Sequence, residues 1–237
     1  MIELRYVIVS CDEAPAGDGW LSPHERGRLA SMRVPKRRAD FRGGRWAAKS
    51  ALRGVLPDRL DFQEIDVRAA EDGSPLVVLP SGESPFAISI AHAGGRALAA
   101  VADRSVVFGA DIEVVEPRSA AFVEDYFIAS ERAWLDAQPP ALRDEGVTLL
   151  WSAKESALKA IREGLREDTR EVEVNLAADA LPVPRAPSFQ PFHATVRSHG
   201  RTFDGIAARD GSCVFTMVAE AGSIGAIQID EGAIPYR

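Results

Sequence analysis

Asp111 and Glu113 are the first residues whose types and spacing point to chemistry. They stand two apart in Ser105–Val115, Ser-Val-Val-Phe-Gly-Ala-Asp-Ile-Glu-Val-Val. Alternation predicts a strand there, with Val106, Phe108, Ala110, Ile112 and Val114 on one face and Gly109, Asp111 and Glu113 on the other. Two neighbouring carboxylates repel unless a cation or a base lies between them, and Gly109 lets something come close to the backbone. The same pattern suits an exposed edge strand with acidic residues on its wet face. The second group is Trp151-Ser152-Ala153-Lys154-Glu155-Ser156-Ala157-Leu158-Lys159. It is built of good helix formers, with apolar residues at Leu150, Ala157, Leu158, Ile161 and Leu165. Glu155 and Lys159 share a face of that helix. Lys154 points into the apolar stripe. Either its stem snorkels along the core to water, or the helix offers a carboxylate and two ammonium groups to an anionic ligand.

The elements around these groups can be read from the same chain of 237 residues, long enough for one large domain or two smaller ones. Hydrophobic content of 46% and charged content of 27% are ordinary for a soluble protein. A net charge of −7 argues against nonspecific nucleic-acid binding as the main task. Yet the charged residues from Arg26 to Arg53 are all basic except Asp40. Such a region suits a small polyanion such as a nucleotide, or is simply a solvated helix face. Cys11 and Cys213 form neither a disulfide framework nor a metal-ligand spacing. The start, Met1-Ile2-Glu3-Leu4-Arg5, lacks the order of a signal peptide, and no apolar run approaches the ~20 residues of a membrane span. A cytoplasmic protein is expected.

A strand is expected over 2–9. Ser22-Pro23-His24-Glu25 reads as a capping box opening a helix to about Met32, and Pro35 opens a longer helix to about Val55. Strands follow at 64–69, 76–79, Phe86–Ala91 and Arg96–Ala102, with Asp72-Gly73-Ser74-Pro75 a turn. Ser130-Glu131 caps a helix to about Ala137. The motif helix runs from about Arg143 to Glu163 and ends at Gly164. A short strand at 171–175, a Pro-rich linker and strands at 192–197, 201–208 and 213–219 complete the pattern, and the tail after Glu220 is weakly patterned. The reading is α+β, as two subdomains of similar build, 1–103 and 104–237, with a ligand site expected between them. No residue-level repeat supports a duplication.

Gly109-Ala110-Asp111-Ile112-Glu113 followed by Trp151–Lys159 resembles the motif pair of the Sfp-type 4′-phosphopantetheinyl transferase family. Weaker likenesses run over roughly 20–175: Ser22–Arg28 to an early Ser-Pro helix with basic residues, Phe41 and Gly44-Arg45 to a Phe…Gly-Arg helix, Gly73-Ser74-Pro75 to Gly-Lys-Pro, and Ser89-Ile90-Ala91-His92 to a strand ending in Ser-His. The resemblance implies a pseudo-twofold α+β fold and transfer of the phosphopantetheine arm of coenzyme A to a carrier-protein serine, releasing 3′,5′-ADP. It implies Asp111, Glu113 and Glu155 as ligands of Mg²⁺, Glu155 as base, directly or through a metal-bound water, and Lys159 as stabiliser of the leaving group. Lys154 would be a phosphate contact. Coenzyme A would be held by Arg28, by the backbone of Gly73, Ser74 and Pro75 and of Ile90 and Ala91, and by His92. Arg45 reads as a packing or salt-bridge residue.

The chain departs from the family pattern at Ser74, Ala91 and Ala93, which lose a cation and two hydroxyls. That leaves a second reading, a non-catalytic binder of coenzyme A or of a carrier domain, and a third, an Mg²⁺-dependent enzyme cleaving another pyrophosphate. A monomer with no nucleic-acid or membrane partner is expected, and the carrier is left open among fatty-acid, polyketide and nonribosomal-peptide types.

Overall fold

The computed structural model describes residues 4–56 and 60–221. The expected strand start at Ile2 and the tail beyond Ala221 lie outside them. The chain divides into two units, one running to Val106 and the other beginning at Val107.

In the first unit β1 (Arg5–Ser10) leads to α1 (Pro23–Ser31) and α2 (Pro35–Arg53). Strands β2 (Asp66–Ala69), β3 (Pro75–Leu79), β4 (Gly82–Glu83), β5 (Phe86–Ala93) and β6 (Arg96–Asp103) follow. They form two antiparallel sheets, ordered β1-β6-β5 and β2-β3-β4. α2 lies on β6 and β1, and its Trp46 packs edge-on between Trp20 and Phe62, with centroids 5.5 and 5.0 Å away. The capping box of α1 is present: Glu25 N–H donates to Ser22 Oγ at 3.1 Å, and Ser22 N–H donates to Glu25 Oε2 at 2.8 Å.

The second unit opens with β7 (Phe108–Val114), then α3 (Ala120–Tyr126), α4 (Ala129–Asp136) and α5 (Arg143–Ala160). Strands β8 (Val172–Asn175), β9 (Gln190–Val196), β10 (Arg201–Asp210) and β11 (Cys213–Glu220) join β7 in one antiparallel sheet, ordered β7-β11-β10-β9-β8. α5 lies across β7 and β11, and Leu149, Leu150, Ala157 and Leu158 bury its apolar stripe against Phe192, Phe203, Val214 and Val218. Two boundaries differ from expectation. α5 stops at Ala160 because Arg162 already takes a left-handed turn, at φ 62°, two residues before Gly164. α4 is entered through Ile128, not Ser130: Glu131 reaches back to accept from Ile128 N–H at 3.0 Å.

The two units share one plan. A long helix lies on a three-strand core, β1-β6-β5 in one and β7-β11-β10 in the other, and a further antiparallel pair precedes each closing hairpin. A buried Glu–Lys clamp recurs in each. In the first, Glu25 accepts from Ser22 N–H and from Val67 N–H (3.1 Å), and pairs with Lys49 Nζ at 2.6 Å. Lys49 also donates to the carbonyls of Trp20 (3.2 Å) and Phe62 (2.7 Å). In the second, Glu131 accepts from Ile128 N–H and from Val174 N–H (2.9 Å), and pairs with Lys154 Nζ at 2.9 Å. Lys154 also donates to the carbonyls of Thr169 and Val172. Each amine lies beside an aromatic ring, Trp20 at 5.7 Å and Phe127 at 5.8 Å. All four charged side chains are wholly buried. Burial pushes both lysine pKa values down and that of Glu131 up.

Candidate active site

β7 is the edge strand of its sheet, but it is not a wet edge. α5 covers the face that carries Gly109, Asp111 and Glu113, and Asp111 is 4% exposed. Gly109 makes this cover possible. A Cβ there would stand 2.1 Å from Ser156 O and 2.7 Å from Ala160 N, both backbone atoms of α5.

The helix meets the strand through Lys159, whose Nζ donates to Asp111 Oδ1 at 2.6 Å. The other oxygen, Asp111 Oδ2, is buried with no hydrogen-bond partner among the described residues. Glu113 accepts from Trp151 Nε1–H at 3.2 Å and lies 3.4 Å from Arg118. Burial and then the Asp111 charge hold its carboxyl above the usual range. Glu155, one helical turn before Lys159 on α5, feels the field of both acids. Its carboxyl is pushed up to about 7, first by burial, then by Asp111 and with a smaller push from Glu113, against the pull of Lys159. Three oxygen-donor side chains thus influence one another, and Lys159 and Arg118 are the cations paired with them among the described residues. Among the described residues, no three His, Cys, Asp or Glu side chains are already gathered closely enough to hold a metal ion.

α5 is set at this height by hydroxyls. Thr216 Oγ1 on β11 bonds Ser152 Oγ at 2.9 Å and Ser156 Oγ at 2.7 Å, and Ser156 Oγ donates to Thr216 O at 3.1 Å. Neither this network nor Arg118 was evident from the sequence, because Thr216 follows Ser152 only after 64 residues. The one local signal for Arg118 is a cation soon after an acidic strand. Beside Trp151 opens a cavity of about 450 Å³, lined by Phe122, Tyr126 and Trp151 together with charged residues that include Asp125, Asp168 and Arg170.

One sequence expectation is corrected. Lys154 is not free to contact a phosphate, because its amine is buried and saturated by Glu131 and two backbone carbonyls. It does not snorkel to water either. The expected coenzyme A residues all lie in the first unit. Arg28 is exposed on the last turn of α1. Gly73 takes a left-handed turn at φ 87°, and Ser74 Oγ is tied to Asp72 at 2.6 Å, just before Pro75 opens β3. Ile90, Ala91 and His92 lie on β5, where His92 is 49% exposed and 3.9 Å from Asp40. No hydrogen bond or ion pair among the described residues links Arg28, the 73–75 turn and His92 to one another. Arg45 stacks over Phe41 at 4.4 Å and faces Glu25 at 3.5 Å, the packing role expected of it.

Two family models match the chain, the 4′-phosphopantetheinyl transferase N-terminal domain over residues 25–102 and the 4′-phosphopantetheinyl transferase superfamily over residues 107–208. A 4′-phosphopantetheinyl transferase of Bacillus pumilus is 29% identical over 55% of this chain and 54% of its own. A holo-[acyl-carrier-protein] synthase of Streptococcus agalactiae is 34% identical over 28% of this chain and 59% of its own. One of Geobacillus kaustophilus is 32% identical over 34% of this chain and 65% of its own. The chain thus spans between about half and two thirds of the length of these curated relatives.

Proposed function

The chain belongs to the 4′-phosphopantetheinyl transferase superfamily, and from that premise we propose that it moves the 4′-phosphopantetheine arm of coenzyme A to a serine of a carrier protein. The serine hydroxyl oxygen bonds to the phosphorus that bears the arm. The P–O bond to the leaving phosphate breaks, 3′,5′-ADP departs, and the serine proton goes to a base. The observation that carries this reading is the meeting of Asp111 and Glu113 of β7 with Glu155 and Lys159 of α5, inside the region matched by the superfamily model.

Glu155 is the base. In the metal-free fold burial and the Asp111 charge push its carboxyl up to about 7, so it takes up a proton near neutral pH. Lys159 carries the positive charge that meets the leaving phosphate, exchanging Asp111 for it when substrate arrives. Trp151 and Arg118 orient Glu113.

The donor set fits a hard divalent cation: three carboxylates, one with a buried oxygen that has no hydrogen-bond partner among the described residues. Asp111, Glu113 and Glu155 would hold Mg²⁺. When bound, Mg²⁺ supplies positive charge against the oxygens of the diphosphate. The coenzyme A nucleotide is assigned to Arg28, the 73–75 turn, Ile90, Ala91 and His92, on the family likeness of those positions. Among the described residues no helix is long and apolar enough to cross a membrane.

The test is direct. Apo carrier proteins of the fatty-acid, polyketide and peptide types are incubated with the chain, coenzyme A and Mg²⁺, and mass spectrometry should show the gain of one arm. No gain on any carrier, with tight coenzyme A binding by calorimetry, would make the chain a binder and overturn the transferase reading.

A further inference from the structure

Lys154, Ser156 and the residue between them divide the work of α5. Successive residues of a helix are about 100° apart, so Lys154 and Ser156 point to opposite flanks, with Glu155 midway. One flank is tied down by Lys154, whose amine is held by Glu131 at the start of α4 and by the carbonyls of Thr169 and Val172. The other flank is tied down by Ser156 on Thr216 of β11. A helix pinned on both flanks has little freedom to roll, and a roll is what would carry Glu155 away from Asp111 and Glu113.

The first unit supplies an internal control. Lys49 is held by Glu25 and two carbonyls in the same way. Matching Lys49 to Lys154 places Ser50 against Glu155, Ala51 against Ser156, Ala47 against Ser152 and Gly54 against Lys159. The clamp is therefore present where there are no carboxylates to aim, so its lysine is not explained by substrate binding.

We infer that Lys154, clamped by Glu131, is a positioning residue that sets the rotation of α5 and so aims Glu155 at the acidic pair of β7. This rests on the cation and transferase roles proposed above for those carboxylates. The arm and the nucleotide of coenzyme A do not meet Lys154, so its loss acts on the cation and not on coenzyme A affinity.

The experiment compares Lys154→Met with Lys49→Met. Because a lone substitution strands a buried carboxylate, the paired chains Glu131→Gln/Lys154→Met and Glu25→Gln/Lys49→Met are measured beside them. Two readouts are taken: Mn²⁺ binding by electron paramagnetic resonance in the presence of coenzyme A without carrier, and the Mg²⁺ and coenzyme A dependence of transfer. Both substitutions in the second unit should weaken Mn²⁺ binding and raise the half-saturating Mg²⁺ about tenfold, with the KM for coenzyme A changed less than about twofold. Both in the first unit should leave the cation dependence as in the wild type. Equal shifts from the two units would overturn the inference, reducing the clamp to general stability. A raised KM for coenzyme A at unchanged cation dependence would also overturn it, making Lys154 a substrate contact. A wild-type chain that binds no Mn²⁺ would instead overturn the cation reading on which the inference stands.

Discussion

The two units are built alike and differ in what is laid on the frame. Each has a short helix whose third residue is a buried glutamate, a long helix with a buried lysine, and a strand N–H that completes the clamp. In the first unit the long helix meets its sheet through small apolar side chains, Ala47 and Ala51 against β6 with its own Ala97 and Ala99. In the second, the matching positions are Ser152 and Ser156, bonded to Thr216, and next to them stand Glu155 and Lys159. The lesson is that fold and proposed chemistry fall to adjacent residues of one motif: the lysine of Lys154-Glu155 is locked into the frame, and the glutamate is the one assigned to the site.

That contrast can be broken at several points. Glu155→Gln should lower transfer by about 10³-fold at unchanged circular dichroism, since it removes both the proposed base and a cation ligand. Its first-unit counterpart, Ser50→Ala, should leave transfer as it was, because Ser50 Oγ is buried with no hydrogen-bond partner among the described residues. Full activity in Glu155→Gln would end the assignment.

Breaking either clamp should cost stability in both units alike. Lys49→Ala and Lys154→Ala each leave a carboxylate buried and unpaired, at a cost of about 3–5 kcal/mol. Urea unfolding checks this, and a loss confined to one unit would undo the parallel. Gly109→Ala should cost about 3 kcal/mol and also impair transfer, because its Cβ would strike the backbone of α5, which cannot turn aside. Normal melting in that variant would contradict the close packing of β7 on α5.

The smallest effect has a pH signature. The carboxyl of Glu155 is raised to about 7 in the folded chain against an ordinary 4.5, so the folded state holds a proton that the unfolded state has released. Stability therefore falls as pH rises from about 4.5 to about 7 and is flat above. Metal-free Glu155→Gln escapes this loss. It should be more stable than the wild type at pH 8, with the gain vanishing near pH 4. Added Mg²⁺ should stabilise the wild type alone. Thermal melts across pH, with and without Mg²⁺, decide it.

Much of this was open to inspection in the sequence. Alternation placed Asp111 and Glu113 on the face that α5 covers, and helical spacing put Glu155 and Lys159 side by side, because both patterns are local. What local patterns could not show is burial. β7 is an edge strand, yet the packing of α5 on Gly109 goes with a buried Asp111 on its acidic face. Lys154 read as a snorkelling or ligand-seeking lysine because its partner, Glu131, lies on another helix. The repeat stayed hidden for the same reason: Ser22-Pro23-His24-Glu25 and Ile128-Ala129-Ser130-Glu131 share only their glutamate, and its meaning appears when the lysine closes on it.

The clamp also bears on how distant relatives should be judged. A chain that kept Glu131 and Lys154 but lost Asp111 or Glu155 would retain the means to fold as this one does, with no place for the cation. In screening such relatives, the lysine of the motif speaks for architecture, and the glutamate after it, read together with the acidic pair of β7, speaks for the proposed chemistry.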